Sequence, residues 1–440
     1  MPSMFRLRFS IISSLFLISS TALAKDSVRS FKKLQLTDQF WAEGASYADF
    51  NHDGQMDIVS GPFWYEGPAF KKRHEYAPAN PGFKRQRADG TEETVPGFEG
   101  GLGTNNAYSE CFLMFTYDFN GDSWTDILVY GFPGKEAAWY ENPKGREEHW
   151  QRHVILDILD NESPGFTDIT GTGKPQILCC SRSHIGYAEA DWKNPGAPWK
   201  FHAITPKGDW QRFTHGLGSG DVNGDGRIDI LEKDAWWEQP ASLTNDPVWT
   251  RHPFPFGTGG AQMVVYDVNG DGLNDVITSL AAHQYGLAWF EQVRENGQIT
   301  FREHLILNRD ATPNRYGVQF SQGHSLALID IDGDGLKDIV TGKRFWAHGP
   351  QGDPEPNAAA VLYWFKLVRP SRGQADFVPQ LIDDNSGVGT QVVTGFISND
   401  RYPDILVGNK KGLFLFKNQV GKSSEQQAPR SRETQSPKSR

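Results

Sequence analysis

The segment Asp221-Val-Asn223-Gly-Asp225-Gly-Arg-Ile-Asp229, followed directly by Ile230-Leu231, decides the fold of this chain. Its side-chain oxygens stand at positions 1, 3, 5 and 9, with a glycine after the third, which is the spacing of a loop that wraps around a hard cation such as Ca²⁺. An EF-hand would need Glu at position 12 and a helix on each side. Because β-branched and apolar residues follow at once here, the segment predicts a calcium loop between two strands.

The loop recurs, and its recurrence predicts the architecture. Copies begin at positions 49, 118, 168, 221, 267, 330 and 396, so successive copies are 46 to 69 residues apart. Such a period suits four-stranded propeller blades with loops of variable length. Five copies keep every ligating position, whereas those at 168 and 396 have decayed. The predicted calcium ligands are Asp49, Asn51, Asp53, Asp57, Asp118, Asn120, Asp122, Asp126, Asp221, Asn223, Asp225, Asp229, Asp267, Asn269, Asp271, Asp275, Asp330, Asp332, Asp334 and Asp338.

The strands around each loop carry their own signatures. A third strand with a Trp-Tyr/Phe-Glu pattern recurs, and a fourth resembles Trp-x-x-His. The seventh repeat ends after its third strand, near Phe416, and the strand-like segment Phe31–Leu36 can supply the missing fourth. Pairing of that segment into the last blade would remove exposed sheet edges. We therefore predict an all-β, seven-bladed β-propeller over residues 25–418 whose ring is closed by the N-terminal strand.

The two ends of the chain differ from the repeats. Residues 1–24 combine Arg6 and Arg8, an apolar run and Ala22-Leu-Ala24, which predicts a secretory signal peptide. Residues 419–440 are polar and basic and are expected to be disordered. The mature chain is therefore predicted to be periplasmic or secreted, with no membrane partner. Between repeats 1 and 2, Ala77–Asn106 is long enough to be a functional loop.

Charge and cysteine content exclude some classes of protein. The formal net charge is -10 and no basic stripe stands out, so nucleic acid is not an expected partner. Much of the acidic excess lies in the predicted calcium loops. Three cysteines, two of them adjacent, do not form a disulfide framework, and we expect Cys111, Cys179 and Cys180 to be buried apolar residues.

The Asp-rich loops and their spacing resemble the secreted FG-GAP/VCBS-type seven-bladed propellers, a likeness that covers the mature chain except its tail. This resemblance implies Ca²⁺ between the first and second strands of a blade, and it is nearly silent on function. The Trp-Tyr-Glu-Asn-Pro strand that begins at Trp139 is similar, more narrowly, to the propeller domain of fungal aldos-2-ulose dehydratase. That family implies a sugar dehydratase with zinc in a propeller cleft, although its enzymes carry cupin domains that this chain lacks.

The histidines fall into two kinds when they are aligned to the repeats. One kind recurs on the outermost strand and is expected to be structural: His153, His202, His252 and His304. The other kind is expected near the central channel, at the end opposite the calcium loops. His215 and His324 each precede their loop by six residues, and a strand of six residues rises about 20 Å. His184 and His283 each follow position nine by eight residues and return to the same end. His348 is a weaker fifth candidate.

Converging neutral imidazoles are what Zn²⁺ or a similar transition metal requires, and an open coordination position would make such a site catalytic. The same residues could instead line the channel, bonded to water, or contact a sugar without a metal. If a keto sugar were eliminated there, Tyr187, Arg212 and Tyr285 are candidates for the acid and base, and the sequence does not rank them.

Two functions follow from these patterns. The first is an exported, metal-dependent carbohydrate lyase or dehydratase. The second is a non-catalytic, calcium-stabilised propeller that binds glycans or proteins through the same face.

Overall fold

Strands form where apolar runs flank the aspartate-rich loops. The computed structural model describes residues 29–79, 82–87, 89–96 and 108–420. Within these residues the secondary structure consists of strands, turns and bends, so the all-β prediction is confirmed. The predicted signal peptide and residues 421–440 of the predicted tail lie outside the described residues.

Successive strands pair as antiparallel groups of four, which we call blades 1 to 7. The first strand, β1 (Arg29–Thr37), precedes blade 1, which contains β2 (Ser46–Ala48), β3 (Asp57–Ser60), β4 (Phe63–Tyr65) and β5 (Arg73–Glu75). A hairpin of β6 (Gly82–Gln86) and β7 (Glu92–Pro96) lies in the predicted insertion. Blades 2 and 3 contain β8 (Leu113–Tyr117), β9 (Asp126–Tyr130), β10 (Lys135–Glu141), β11 (Gln151–Thr167), β12 (Gln176–Ser181), β13 (His184–Glu189) and β14 (Lys200–Ala203).

Blade 4 contains β15 (Leu217–Gly220), β16 (Asp229–Glu232), β17 (Ala235–Glu238) and β18 (Thr250–Pro253). Blade 5 contains β19 (Gln262–Tyr266), β20 (Asp275–Ser279), β21 (Leu287–Glu295) and β22 (Gln298–Leu307). Blade 6 contains β23 (Leu326–Ile329), β24 (Asp338–Gly342), β25 (Leu362–Val368) and β26 (Asp376–Asp383). Blade 7 contains β27 (Val392–Gly395), β28 (Asp404–Asn409) and β29 (Gly412–Val420), beside which β1 pairs as the fourth strand.

One strand is shared between two blades. The first half of β11 pairs with β10, and its second half pairs with β12. The register shifts between Asp160 and Gly165, and Asn161 has a φ of 71°, in the left-handed region. This irregularity allows the chain to leave the outer edge of blade 2 and continue as the inner strand of blade 3.

The apolar core lies between neighbouring blades. For example, Leu231 of blade 4 packs in one buried cluster with Ala288 of blade 5. Blades 7 and 1 share a cluster in the same way, which includes Leu406 and Ile58. Each fully buried aliphatic side chain of this kind contributes about 1.5–3 kcal/mol. Contacts of this kind are expected between neighbouring propeller blades, and the count of seven blades and the closure of the ring stay predictions.

The ninth loop residue ties each loop to its own blade. Asp275 is fully buried, and its carboxylate accepts hydrogen bonds from the backbone N–H groups of Val268 (2.8 Å) and Gln292 (2.8 Å). It therefore joins the loop to the third strand. Five further aspartates accept the same pair of backbone bonds: Asp57, Asp126, Asp229, Asp338 and Asp404.

Residues Ser30–Gln419 form one compact unit, and the domain bounds of 25–418 stay a prediction. The other unit, Met1–Arg29 with Val420–Arg440, lies almost wholly outside the described residues. No helix of the described residues is long and apolar enough to cross a bilayer.

Candidate metal centre

The candidate site is built at the end of the blades opposite the aspartate-rich loops. Inner strands β15 and β23 begin two residues after His215 and His324, respectively. The third histidine, His283, lies on the connection between β20 and β21, which spans residues 280–286. The aspartate-rich loops connect the first strand of a blade to the second. The start of the first strand and the connection from the second strand to the third therefore lie at the opposite end of the blade, and the three histidines lie there.

His215, His283 and His324 form one group. One potential ligand atom of each lies within 4.8 Å of those of the other two. The ring of His283 is 5.0 Å from that of His215 and 4.5 Å from that of His324, measured between centroids. Three of the four histidines predicted for a metal site therefore converge.

A carboxylate completes this group. Glu162 Oε2 lies 3.4 Å from His215 Nε2 and 3.7 Å from His324 Nε2. Ligands bound at about 2.1 Å to a tetrahedral ion are about 3.4 Å apart. The two distances from Glu162 Oε2 to the histidine nitrogens are therefore closer to the separation between two ligand atoms of one ion than to the length of a short hydrogen bond. Glu162 lies in the irregular part of β11, where its backbone N–H donates to the carbonyl of Thr214 (3.0 Å).

Several buried nitrogens of this group have no hydrogen-bond partner among the described residues: His215 Nε2, His283 Nδ1, His324 Nδ1 and His324 Nε2. The side chain of His324 is only 1% exposed. Burial, and after it the nearby Arg344, holds the pKa of His324 well below its usual range. The imidazole is therefore neutral at pH 7, which is the form that coordinates a metal. A buried polar atom without a partner costs free energy, and a bound cation would remove that cost.

Buried charges surround Glu162. Arg344 is 2% exposed and places its guanidinium 2.6 Å from a carboxylate oxygen of Glu43 and 3.4 Å from one of Glu162. Burial alone would raise the pKa of Glu162, but His215 and Arg344 bring it down to about 2. Glu162 is therefore ionised at neutral pH and can act as an anionic ligand.

A second carboxylate lies on the other side of His283. Asp353 Oδ1 is 3.3 Å from His283 Nδ1 and 3.0 Å from His348 Nδ1, and its side chain is 3% exposed. These three residues also form a group that could hold a cation. Carboxylates that bond to metal-ligating histidines commonly fix the orientation of the ring. His348, the weaker candidate of the sequence, therefore lies beside the group.

His184 is not part of this group. It begins β13, pairs with Ser181 across a tight turn, and its Nδ1 contacts the carbonyl of Thr205 at 3.0 Å. The connection in blade 5 is longer and carries His283 beyond the sheet. The difference in turn length separates two histidines that have the same sequence offset.

The predicted acid and base residues are scattered. Tyr187 is 3% exposed and stacks on His202 of the outer strand, away from the channel. Arg212 is exposed and lies over the ring of Phe213 at 5.3 Å. Burial, followed by an interaction with Glu355, raises the pKa of Tyr285. The structure does not bring these three residues together.

The aspartate-rich loops are folded around their own oxygens. In the loop of blade 4, Asp221 Oδ1 accepts the backbone N–H groups of Gly224 (2.7 Å) and Asp225 (3.1 Å), and Asn223 Oδ1 accepts that of Asp225 (2.9 Å). Gly224 has a φ of 82°, which favours glycine. Hard oxygens in this arrangement fit Ca²⁺, with one qualification at position nine. Both carboxylate oxygens of Asp229, at position nine, already accept backbone hydrogen bonds, so a bound ion would share one of these oxygens with a backbone N–H group.

The loop of blade 6 differs from the others. Lys366 occupies the third-strand position at which blades 1, 2, 4 and 5 have glutamate. Its Nζ contacts Asp332 and lies 3.3 Å from Asp334 Oδ2. A cation in this loop would compete with the lysine.

The outer-strand histidines have structural partners. His252 stacks on Trp236 with centroids 4.0 Å apart, and its Nε2 is 2.8 Å from Glu238 Oε2. The same stack on a third-strand aromatic ring recurs at His74, His153, His202 and His304.

Sequence reasoning missed Glu162, Glu43, Arg344 and Asp353. The first two had a signal, because Glu43 and Glu162 precede their loops by six residues, as His215 and His324 do. Arg344 and Asp353 come from the long connection 343–361, which has no counterpart in the other blades.

These features define an all-β repeat protein with a polar site at one end. Residues 267–341 match the FG-GAP-like repeat family, which is the family that the aspartate-rich loops resemble.

Solved structures resemble the chain more distantly. An Agrocybe aegerita lectin described as recognising non-reducing terminal N-acetylglucosamine is 16% identical, with a TM-score of 0.42, covering 89% of this chain and 85% of the lectin. The V. cholerae biofilm matrix protein Bap1 is 10% identical, with a TM-score of 0.39, covering 86% and 88%. The rhamnogalacturonan lyase YesW is 12% identical, with a TM-score of 0.38, covering 88% and 71%. Likenesses at this level define neither the ligand nor the activity of this chain.

Proposed function

We propose that this chain is an exported, calcium-stabilised propeller that holds one transition-metal ion between His215, His283, His324 and Glu162 and acts as a carbohydrate lyase or dehydratase. The observation that carries the metal centre is His324, a neutral, buried imidazole whose two nitrogens have no partner among the described residues. Three nitrogens and one ionised carboxylate form a donor set that suits Zn²⁺.

Because these four side chains would fill a tetrahedral shell, a carbonyl or a water molecule would have to bind as a fifth ligand, and the metal would then act on it as a Lewis acid. The protein's own residues hold it in place. Arg344 contacts both Glu43 and Glu162, and Asp353 Oδ1 lies 3.3 Å from His283 Nδ1, so these residues would orient two of the ligands. Of the candidates for proton transfer in an elimination, Tyr285 is the one that lies outside the buried core and can release a proton, since the guanidinium of Arg212 stays protonated.

A non-catalytic glycan- or protein-binding propeller is the second candidate. The burial of Tyr187 against His202 favours it, since one predicted catalytic side chain cannot reach the channel.

Elemental analysis of protein purified in calcium without chelator tests the metal centre. We expect one transition-metal ion per chain, and we expect a His215→Ala/His324→Ala double variant to lose it while calcium stays. His184→Ala is the matched control and should retain the metal, because His184 bonds to Thr205 instead. A wild-type protein that holds only calcium would show that the metal centre is wrong.

Activity is the second stage of the test. Metal-loaded protein should convert keto sugars into unsaturated products with a new ultraviolet absorbance, and the double variant should not. If metal is present but no sugar in the panel reacts, the lyase proposal fails and the binding function is the one to pursue.

A further inference from the structure

A cleft of about 430 Å³ opens beside the metal group, and we call it the blade-4 cleft. Its lining includes Trp210, Phe213, His215, Lys233, Arg251 and Thr258. The size is typical of pockets that take small molecules. Because His215 belongs both to the cleft and to the metal group, a molecule in this cleft lies next to the candidate metal.

An aromatic platform stands in the cleft. Phe213 is 45% exposed, one of the few large apolar side chains of the described residues with so much surface. Its ring packs edge-on against Phe132, with centroids 5.8 Å apart and planes at 72°. Trp210 packs in a similar way against Trp237. Both rings are held in place by neighbours, and Phe213 keeps 45% of its surface exposed to a ligand although the guanidinium of Arg212 lies 5.3 Å from its ring centroid.

The charges of the cleft favour a neutral ligand. Lys233 is paired with Asp234, and a guanidinium nitrogen of Arg251 lies 3.5 Å from Glu232 Oε1. With Asp209, the lining has three carboxylates and two cations, and the guanidinium of Arg212, which lies over Phe213, adds a third positive charge. Because the charges balance, an anion and a cation would each have to compete with the existing pairs. A ligand with many hydroxyl groups can donate to the carboxylates and accept from the cations at once.

We propose that the blade-4 cleft binds a neutral pyranose, with an apolar face of its C–H groups on Phe213 and its hydroxyl groups on the charged rim. This inference rests on the proposed function, because that function assigns the metal beside the cleft a role in catalysis. The inference adds the class of substrate that the site would take. The cleft itself discriminates by shape and charge, so its binding can be measured without turnover.

The test is equilibrium binding, followed by tryptophan fluorescence and ligand-observed NMR. The probes are the methyl glycosides of glucose, galactose and mannose, compared with glucuronate and galacturonate. At least one neutral glycoside should bind more tightly than both acidic sugars. Phe213→Ala should weaken that binding about tenfold, because the variant loses the ring against which the sugar packs. Phe213→Tyr, which keeps the ring, should bind like the wild type.

Phe396→Ala is the matched control, because Phe396 is 52% exposed but lies on the aspartate-loop side of blade 7. Its binding should equal that of the wild type. Tighter binding of the acidic sugars, no binding of any neutral glycoside, or equal effects of Phe213→Ala and Phe396→Ala would each overturn the inference. Metal content separates the two proposals: glycoside binding to a protein without transition metal supports the cleft and refutes the metal centre.

Discussion

Replacing His324 by leucine should stabilise the metal-free protein. Each buried polar atom without a partner costs about 1–3 kcal/mol, and His324 has two such nitrogens. Leucine has about the same volume as histidine but a branched shape, and the strain of fitting it into the site of a flat ring offsets some of this gain. We therefore expect the free energy of unfolding of chelator-treated protein to rise by about 2–4 kcal/mol in His324→Leu.

The assay is urea denaturation followed by tryptophan fluorescence, with and without Zn²⁺. Metal at a hundredfold excess over its Kd should stabilise the wild type by about 2.7 kcal/mol and the His324→Leu variant not at all. His252→Leu is the matched control, because this ring stacks on Trp236 and pairs with Glu238. The control should lose about 1–2 kcal/mol.

The free energy of unfolding of the metal-free protein should rise in His324→Leu and fall in His252→Leu. Changes of opposite sign would distinguish a metal-binding histidine from a structural one. If His324→Leu destabilises the metal-free protein as His252→Leu does, His324 is satisfied in the fold and the reasoning for a metal centre is refuted.

Three further outcomes are expected. Lys366→Glu should add one calcium ion per chain in a calorimetric titration, because Lys366 Nζ contacts Asp332 in the loop of blade 6. An unchanged number of bound calcium ions would show that the lysine does not compete with calcium. Asp353→Asn should weaken zinc binding about 10–100-fold in competition with a chromogenic chelator, because Asp353 orients His283; a zinc affinity equal to that of the wild type would contradict this role. Burial lowers the pKa of Lys410 to about 7, so between about pH 7 and 10 the unfolded chain binds more protons than the folded chain and the free energy of unfolding rises with pH. The urea midpoint of Lys410→Met should lack this rise. If the urea midpoints of the variant and the wild type change equally with pH, the prediction is contradicted.

Much of the fold could be predicted because its signals are local. The loop from Asp221 to Asp229 carries its own turn residues and ligand spacing, and the strands follow directly from it. The pairing of Phe31–Leu36 into the last blade followed from counting strands, and β1 does lie beside β29. The buried backbone bonds of Asp275 were not predictable, because an aspartate at position nine reads equally well as an ion ligand.

The candidate site was predictable only where it follows the repeat. His215 and His324 share one register, and the fold brings that register to one end of the blades. Glu162 also precedes its loop by six residues, but the metal-site prediction considered only imidazoles as ligands and therefore missed it. Asp353 comes from an insertion in blade 6 with no counterpart elsewhere, and His184 shows that an equal offset fails when a turn is shortened.

The two ends of the blades therefore have different physical requirements. At the aspartate-loop end, buried carboxylates such as that of Asp275 already accept backbone hydrogen bonds, so these loops are tied to their blades by the protein itself. At the other end, His324 and Arg344 are buried with polar atoms that the described residues leave unpaired. A fold keeps such a cost when a ligand removes it or when function requires it. The position six residues before a loop thus carries four members of the buried polar group, Glu43, Glu162, His215 and His324, whereas position nine carries the aspartates that tie each loop to its blade.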